Sequence, residues 1–274
     1  MCMSKIKKSS LSTSVDKFLD GKITIEQLLD GGRSNTDTIL LSAAVPVAPG
    51  YKVLDIGVGN GTSSIALGSN FKDITIIGID NDPINIELAT KNVILNKLEG
   101  NISIRRADIL KKNLSFSIGN QKNLKFDSIY MNAPYFDKDT INHSKSHYQS
   151  IAKYHDRSNL DHWINNSLKL LKFRGTITII NKIENLNRII CLLSGLGSIT
   201  ILPLISNMSG EVHRFILSFR KGSNAKTRVL SQVVLHQESG AFSNRVEDTL
   251  RGRARIDLTK SCLLYTSDAA RRAI

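Results

Sequence analysis

Cysteine is scarce in this sequence. Its three cysteines, Cys2, Cys191 and Cys262, are far apart and form neither a C-x-x-C metal spacing nor a disulfide framework. This excludes a disulfide scaffold and favours the reducing conditions of the cytoplasm. Long apolar runs are missing too: no stretch approaches the ~20 residues of a membrane helix, and no apolar signal-peptide segment follows the basic N-terminus. We therefore expect a soluble cytoplasmic protein without a membrane partner.

Acidic residues are outnumbered. The chain has 274 residues with 37 Lys+Arg against 24 Asp+Glu, a formal net charge of +13. About half of this excess lies in residues 206–274, most densely in RGRAR (251–255). A surface this basic favours a polyanionic partner, with nucleic acid first and anionic membrane second. We expect the RGRAR run to contact phosphates.

Short β-branched runs alternate with helical stretches along the middle of the chain. Such alternation predicts an α/β fold of the Rossmann-like type. We expect a mostly parallel seven-stranded sheet with a C-terminal antiparallel hairpin and helices on both faces. The predicted strands are 52–56, 73–80, 101–108, 126–132, 176–181, 198–205 and 213–219, and the predicted helices are 61–70, 83–97, 160–171 and 185–197.

The domain boundaries follow from composition. Residues 1–14 read as a flexible arm, and residues 15–222 as the main domain with a leading segment in which Asp37 is expected to cap a short helix. Residues 223–260 form a basic extension. Residues 261–274 show neither periodicity nor turn pattern, and we expect them to be unstructured and foreign to the native protein.

The segment VLDIGVGNG is the first motif that carries chemistry. It places Asp55 and the glycines 57, 59 and 61 between a predicted strand and a helix, where a ligand can approach bare backbone N–H groups. A dinucleotide fingerprint would need glycine at position 62, which is Thr62 here. A carboxylate two residues before the first glycine would repel a pyrophosphate but suits a cofactor with an amino group, such as S-adenosylmethionine.

Two further acids end the next predicted strands. Asp80 is placed to accept from the ribose hydroxyls of such a cofactor, and Asp108 from the adenine amino group. The alternative for each is that it caps the following helix. Because Asp55, Asp80 and Asp108 end successive parallel strands, they are expected at one ligand-binding edge. Their joint occurrence predicts a methyl-donor site.

A histidine-rich segment follows the fourth predicted strand but lacks the residue pattern of a metal site. His143 and His147 have i, i+4 spacing, but neither an H-E-x-x-H pattern nor a nearby cysteine accompanies them. We expect no metal, and a mobile substrate-facing loop. Its basic residues Lys138, Lys145, Lys153 and Arg157 could meet phosphates, with a plain solvated face as the alternative. Trp163, on the predicted helix that follows, is expected to be part of the core.

The predicted fourth strand runs into Asn132-Ala133-Pro134-Tyr135. This tetrapeptide resembles the N-P-P-Y motif of methyltransferases that act on planar amide or exocyclic amine nitrogens. The resemblance implies that the Asn132 side chain and the Ala133 carbonyl accept the two hydrogens of the target nitrogen. It also implies that Pro134 fixes the turn and that Tyr135 stacks on a flipped base. Alanine replaces the more usual proline at 133, which keeps the carbonyl.

The likeness covers roughly residues 15–255. The segments 30–46, 160–182 and 214–252 resemble bacterial tRNA1(Val) (adenine-N6)-methyltransferases. This resemblance implies a class I methyltransferase fold, S-adenosylmethionine as donor, and RNA, with tRNA first, as acceptor. We expect the enzyme to be a monomer. Two alternatives stay open: a protein-glutamine N5-methyltransferase using the same tetrapeptide, and an RNA-binding protein that has lost catalysis.

Overall fold

The structure, a computed structural model, describes residues 12–30, 32–111, 114, 118, 124–133, 158–208 and 210–259. The strands of this part are β1 (Thr13–Phe18), β2 (Ile23–Leu28), β3 (Lys52–Ile56), β4 (Thr75–Asp80), β5 (Ile102–Arg106), β6 (Phe126–Asn132), β7 (Leu171–Lys182), β8 (Gly197–Ile205), β9 (Val212–Lys221), β10 (Arg228–Val229) and β11 (Val233–Val234). The helices are α1 (Thr36–Ala44), α2 (Thr62–Asn70), α3 (Pro83–Leu95), α4 (Ser158–Leu170), α5 (Leu186–Leu193) and α6 (Asn244–Leu250), with a 3₁₀ turn at Ile183–Asn185.

The main sheet has the order β10-β8-β9-β7-β6-β3-β4-β5, and β11 also pairs with β8. The strands from β5 to β7 are parallel, whereas β9 runs antiparallel to β7 and β8. The predicted seven-stranded, mostly parallel sheet with its antiparallel hairpin is therefore confirmed as the centre of the fold. The chain order reverses between β3 and β6, which is where open α/β sheets bind ligands.

Each face of the main sheet is covered by helices, as predicted. Apolar residues of α1, α2, α3 and α6 pack with one face, and those of α4 and α5 with the other. Side chains alternate between these layers along each strand: Val53 joins the first core and Leu54 the second. Helices on both faces explain why the central strands read as apolar runs.

The leading segment differs from the prediction. Residues 13–28 form a hairpin whose two strands make a sheet of their own. Its turn has left-handed conformations at Leu19, Asp20 and Gly21, with φ values of 54°, 58° and 82°. Thr13 lies in β1 and so does not belong to a flexible arm, whose residues 1–11 lie outside the described part. The cap of α1 is Asn35 rather than Asp37, which is buried and pairs with Arg214 at 3.1 Å.

The basic extension is integrated into the fold. Its strands β10 and β11 lie parallel to β8 and bring the main sheet to nine strands among the described residues. The RGRAR arginines hold it in place. Arg251 and Arg253 donate to Asp20 at 2.8 and 2.6 Å, and Arg255 donates to the carbonyls of Ala43 and Val45. These bonds within the chain occupy the groups that the sequence assigned to phosphates.

Candidate functional site

The three glycines of the loop between β3 and α2 all have left-handed backbones, with φ values of 73°, 55° and 88° at Gly57, Gly59 and Gly61. A side chain on Gly61 would meet Ala89 of α3 at 3.3 Å, so this glycine allows close helix packing. A side chain on Gly59 would meet nothing within 4 Å. The loop thus leaves open space above its middle glycine.

Asp55 lies beneath this loop rather than in the open space. Its side chain is 2% exposed, and its Oδ2 accepts from the hydroxyls of Ser63, Ser64 and Tyr130 at 2.5, 2.7 and 2.9 Å. Burial raises the pKa of Asp55 to about 6, although the three hydroxyl donors oppose the rise. The structure therefore gives Asp55 a role in fixing the start of α2, and contact with the donor's amino group stays a prediction.

Asp80 stands where the sequence placed it, at the last residue of β4. Its Oδ2 accepts from the backbone N–H of Gly59 at 3.0 Å, and its Oδ1 from that of Asp82 at 2.9 Å. A weaker contact of 3.3 Å comes from Asn85. Burial raises the pKa of Asp80, the largest influence on it. Since a carboxylate offers about four acceptor positions, Asp80 can hold the glycine loop and still accept from a ligand hydroxyl.

Asp108 is two residues beyond the end of β5. Its Oδ1 accepts from the backbone N–H of Leu110 at 3.0 Å, so it caps the turn that follows. The backbone N–H of Ala107 donates to the Asp80 carbonyl at 2.9 Å and ties these two strand ends together. The strand ends that carry Asp80 and Asp108 are therefore neighbours, and their joint contact with a donor stays a prediction. Capping, the alternative given for Asp108, is what its side chain does in the structure.

Asn132 ends β6, next to the glycine loop. Met131 pairs with Ile56 in the parallel register of β6 and β3, so Asn132 and Gly57 each come directly after the last paired residues of neighbouring strands. Adjacent strands lie about 4.8 Å apart. The half-buried Asn132 side chain hydrogen-bonds to no described residue, and Ala133 is 1% exposed. Pro134 and Tyr135 lie outside the described residues, as does the histidine-rich segment.

Sequence reasoning missed two contributors to this edge. Trp163 of α4 packs beside the second core as expected, but its ring also lies 3.1 Å from where a Gly57 side chain would begin. No local pattern connects a tryptophan to a loop about a hundred residues away. This ring is the chain's single tryptophan and therefore a natural fluorescence reporter for the glycine loop.

The β1–β2 hairpin is the second missed contributor. Asn60, within the loop, donates to Gln27 of β2 at 3.3 Å. Asn92 of α3 donates to the carbonyls of both Glu26 and Asn60, at 2.8 and 2.9 Å. The hairpin, which lies outside the main sheet, thereby stabilises the glycine loop through these hydrogen bonds. The Asp20-Gly21 pair between alternating residues was the sequence signal that could have revealed it.

The residues at this edge fit S-adenosylmethionine. The space above Gly59 is bordered by Asp80, and Asp108 lies at the next strand end. These acceptors suit ribose hydroxyls and an adenine amino group. Among the described residues there is no group of three or more His, Cys, Asp or Glu that could hold a metal ion. In the same part of the chain, every helix is too short or too polar to cross a membrane.

Comparison with known proteins agrees with this fold. A family model described as methyltransferase domain matches residues 48–196, more than half of the chain. A protein of Bacteroides thetaiotaomicron named tRNA1(Val) (adenine(37)-N6)-methyltransferase is 27% identical over 212 residues, covering 76% of this chain and 85% of its own. A release factor glutamine methyltransferase of Fusobacterium nucleatum is 38% identical over 87 residues, covering 32% of this chain and 22% of its own.

A solved structure shows the same fold. The predicted O-methyltransferase Atu636 of Agrobacterium tumefaciens superimposes with a TM-score of 0.67 at 19% identity, covering 81% of this chain and 98% of its own. The class I methyltransferase fold uses S-adenosylmethionine, so the donor predicted from the sequence is confirmed at the level of the family. With its glycine loop, strand order and matched region, the chain belongs to the methyltransferase domain family.

Proposed function

We propose that this methyltransferase transfers a methyl group from S-adenosylmethionine to the exocyclic N6 amine of an adenine in RNA. Within RNA, a tRNA adenine beside the anticodon is the target we favour. The observation that carries the proposal is Asn132, an amide at the strand end next to the glycine loop that hydrogen-bonds to no described residue. The Bacteroides relative supports it, because its name states this reaction and it aligns with 76% of the chain.

The chain's contribution to the chemistry is to prepare a poor nucleophile. An exocyclic amine on a purine has its lone pair delocalised into the ring. Hydrogen bonds from its two hydrogens to the Asn132 amide oxygen and the Ala133 carbonyl favour a tetrahedral nitrogen with a localised lone pair. S-adenosylmethionine supplies an electrophilic methyl group on a sulfonium sulfur. Because the acceptors are held at the end of a buried strand, they need no reorganisation when charge develops on the nitrogen.

The donor would be held by the edge that includes the glycine loop. Asp80 would accept from a ribose hydroxyl, Asp108 from the adenine amino group, and glycine at 59 leaves room for close approach. Asp55 would act through the loop that it anchors. Tyr135 would supply a stacking face for the target base. We assign Asn132, Ala133, Pro134 and Tyr135 to catalysis and base capture on this basis.

Glutamine methylation is the second candidate. The Fusobacterium relative has the higher identity, 38%, but aligns with only 32% of this chain. A glutamine amide nitrogen poses the same electronic problem, so the same acceptors would serve. The net charge of +13 favours RNA, a polyanion, over a protein glutamine as the substrate.

A substrate panel tests the proposal. The protein is incubated with methyl-labelled S-adenosylmethionine and, separately, with unmodified tRNA, ribosomal RNA, DNA and a release factor. We expect label in tRNA, recovered as N6-methyladenosine after digestion, and much slower labelling with the Asn132→Ala variant. Label in the release factor alone would replace the proposal with the glutamine reaction. Label in ribosomal RNA would retain adenine methylation and correct the choice of RNA.

A further inference from the structure

One half-buried region of the main sheet is rich in polar side chains. Cross-strand partners share a face of a sheet, so the register defines which side chains stand together. Two neighbouring rows on the α1 side are polar across β7, β9, β8 and β10. The first row is Thr176, Arg220 and Ser198, and the second is Thr178, Ser218, Thr200 and Arg228. The next row, Ile180, Ile216 and Leu202, is fully apolar.

All residues of these rows except Thr178 form the floor of a cleft. The end of α1 with the chain after it, at residues 44–47, and the end of the extension, at residues 255–259, border a cavity of about 570 Å³. Lys226, Arg228 and Arg255 line it beside Arg220, whereas Asp257 is its single acid. The cleft therefore has a strong excess of positive charge.

The donors on this floor are unused within the described part of the chain. The hydroxyls of Thr176, Ser198, Thr200 and Ser218 and the guanidinium of Arg220 have no hydrogen-bond partner there, and neither does Lys226. Next to Ser218 in the second row, the fully buried Thr178 hydroxyl also has no hydrogen-bond partner among the described residues. Arg228 and Arg255 instead donate hydrogen bonds to backbone carbonyls of the walls. The hydroxyls of Thr176, Ser198, Thr200 and Ser218 are half-buried and Arg220 and Lys226 are exposed, so these donors are open to the cleft. Such a concentration of unused donors suits a ligand with several acceptor oxygens.

We propose that this cleft binds a phosphate group. Tetrahedral phosphate oxygens match an arginine surrounded by hydroxyl donors, and charge-assisted bonds to such anions are strong. The volume exceeds that of phosphate alone and accommodates the attached sugar. The cleft is separate from the methyl-transfer edge: Thr176 precedes Ile180, the partner of Asn132, by four residues, or about 13 Å of strand.

The phosphate has two possible sources, an RNA backbone and a small phosphorylated compound. Only the RNA source rests on the proposed function. An RNA backbone in this cleft would bind the enzyme at a distance from the target base. Phosphate contacts there would orient the substrate without recognising its sequence.

Arg220→Gln in the full chain tests the site, with Arg245→Gln as matched control. Arg245 is exposed on α6, outside the cleft, and removing it changes the net charge equally. Inorganic pyrophosphate is titrated into each protein by calorimetry. We expect Arg220→Gln to weaken binding at least tenfold, Thr200→Val several-fold, and Arg245→Gln less than twofold. Unchanged S-adenosylmethionine affinity in each variant reports an intact fold.

A second arm separates the sources and needs no methyl transfer. Unmodified tRNA binding is measured over a range of salt concentrations. A lower affinity and a slope reduced by about one phosphate in Arg220→Gln alone would establish the RNA backbone as ligand. Weaker pyrophosphate binding with unchanged tRNA binding would establish a small phosphorylated ligand. Equal pyrophosphate affinities in Arg220→Gln and Arg245→Gln would overturn the proposal, even if adenine methylation were demonstrated.

Discussion

Replacing Asp55 with asparagine isolates the energetics of the buried carboxyl group beneath the glycine loop. Burial raises the pKa of Asp55 to about 6 in the folded protein, whereas an aspartate in an unfolded chain titrates near ~3.9. Between these two values the folded protein holds a proton that the unfolded chain has released. The stabilisation from this proton is therefore complete below about pH 4 and is lost as the pH rises through about 6.

The size of the effect follows from the pKa difference, which corresponds to roughly 3 kcal/mol. Asparagine has nearly the same volume, keeps an oxygen to accept from Ser63, Ser64 and Tyr130, and does not titrate. Subtracting the free energy of unfolding of Asp55→Asn from that of the wild type removes the contributions of the titrating groups that both proteins share. We expect the stability of the wild type relative to Asp55→Asn, measured by urea unfolding, to fall by roughly 3 kcal/mol between about pH 3 and about pH 7.5.

The opposite pH dependence would refute this reasoning. If the difference stayed constant or moved in favour of the wild type, the three hydroxyls would outweigh burial and hold Asp55 as an anion. The loop would then be anchored by a charge rather than by a neutral carboxyl group.

Three further substitutions probe the loop, its acid and the extension. Asp80→Ala should weaken S-adenosylmethionine binding by roughly 1.5–3 kcal/mol in calorimetry, and unchanged affinity would remove Asp80 from the site. Gly59→Ala should lower unfolding stability about as much as Gly240→Ala, since both glycines have positive φ and open surroundings. It should also abolish donor binding, which Gly240→Ala should preserve. Arg251→Met should lower the melting temperature by removing one of the two arginines bonded to Asp20, and a flatter salt dependence of tRNA binding would instead show that Arg251 contacts phosphate.

The central fold was predictable because its signals are local. The strands 52–56 and 126–132 are found at the predicted bounds, since each is a short apolar run between clear breaks. Asp80 at its strand end follows from the same reasoning. Asp20-Gly21 is likewise a local signal for the β1–β2 hairpin, but no local pattern shows that this hairpin contacts the glycine loop.

The remaining features depend on tertiary register and were not predictable. The polar rows of the cleft unite residues of four strands, and only the pairing of β9 with β7 and β8 shows that Thr176, Arg220 and Ser198 stand together. Similarly, the RGRAR run reads as a phosphate contact until Asp20 is found opposite it. A charge run carries no information about its partner within the chain.

Single-turnover methyl transfer by Asn132→Ala tests the central claim most directly. If Asn132 accepts a hydrogen from the target amine as the nitrogen becomes tetrahedral, its loss should slow transfer to tRNA by on the order of a hundredfold or more. Donor affinity, followed by Trp163 fluorescence, should stay unchanged, and the exposed control Asn187→Ala should react at the wild-type rate. A folded Asn132→Ala protein that transfers methyl groups as fast as wild type would contradict the assignment to amine methylation.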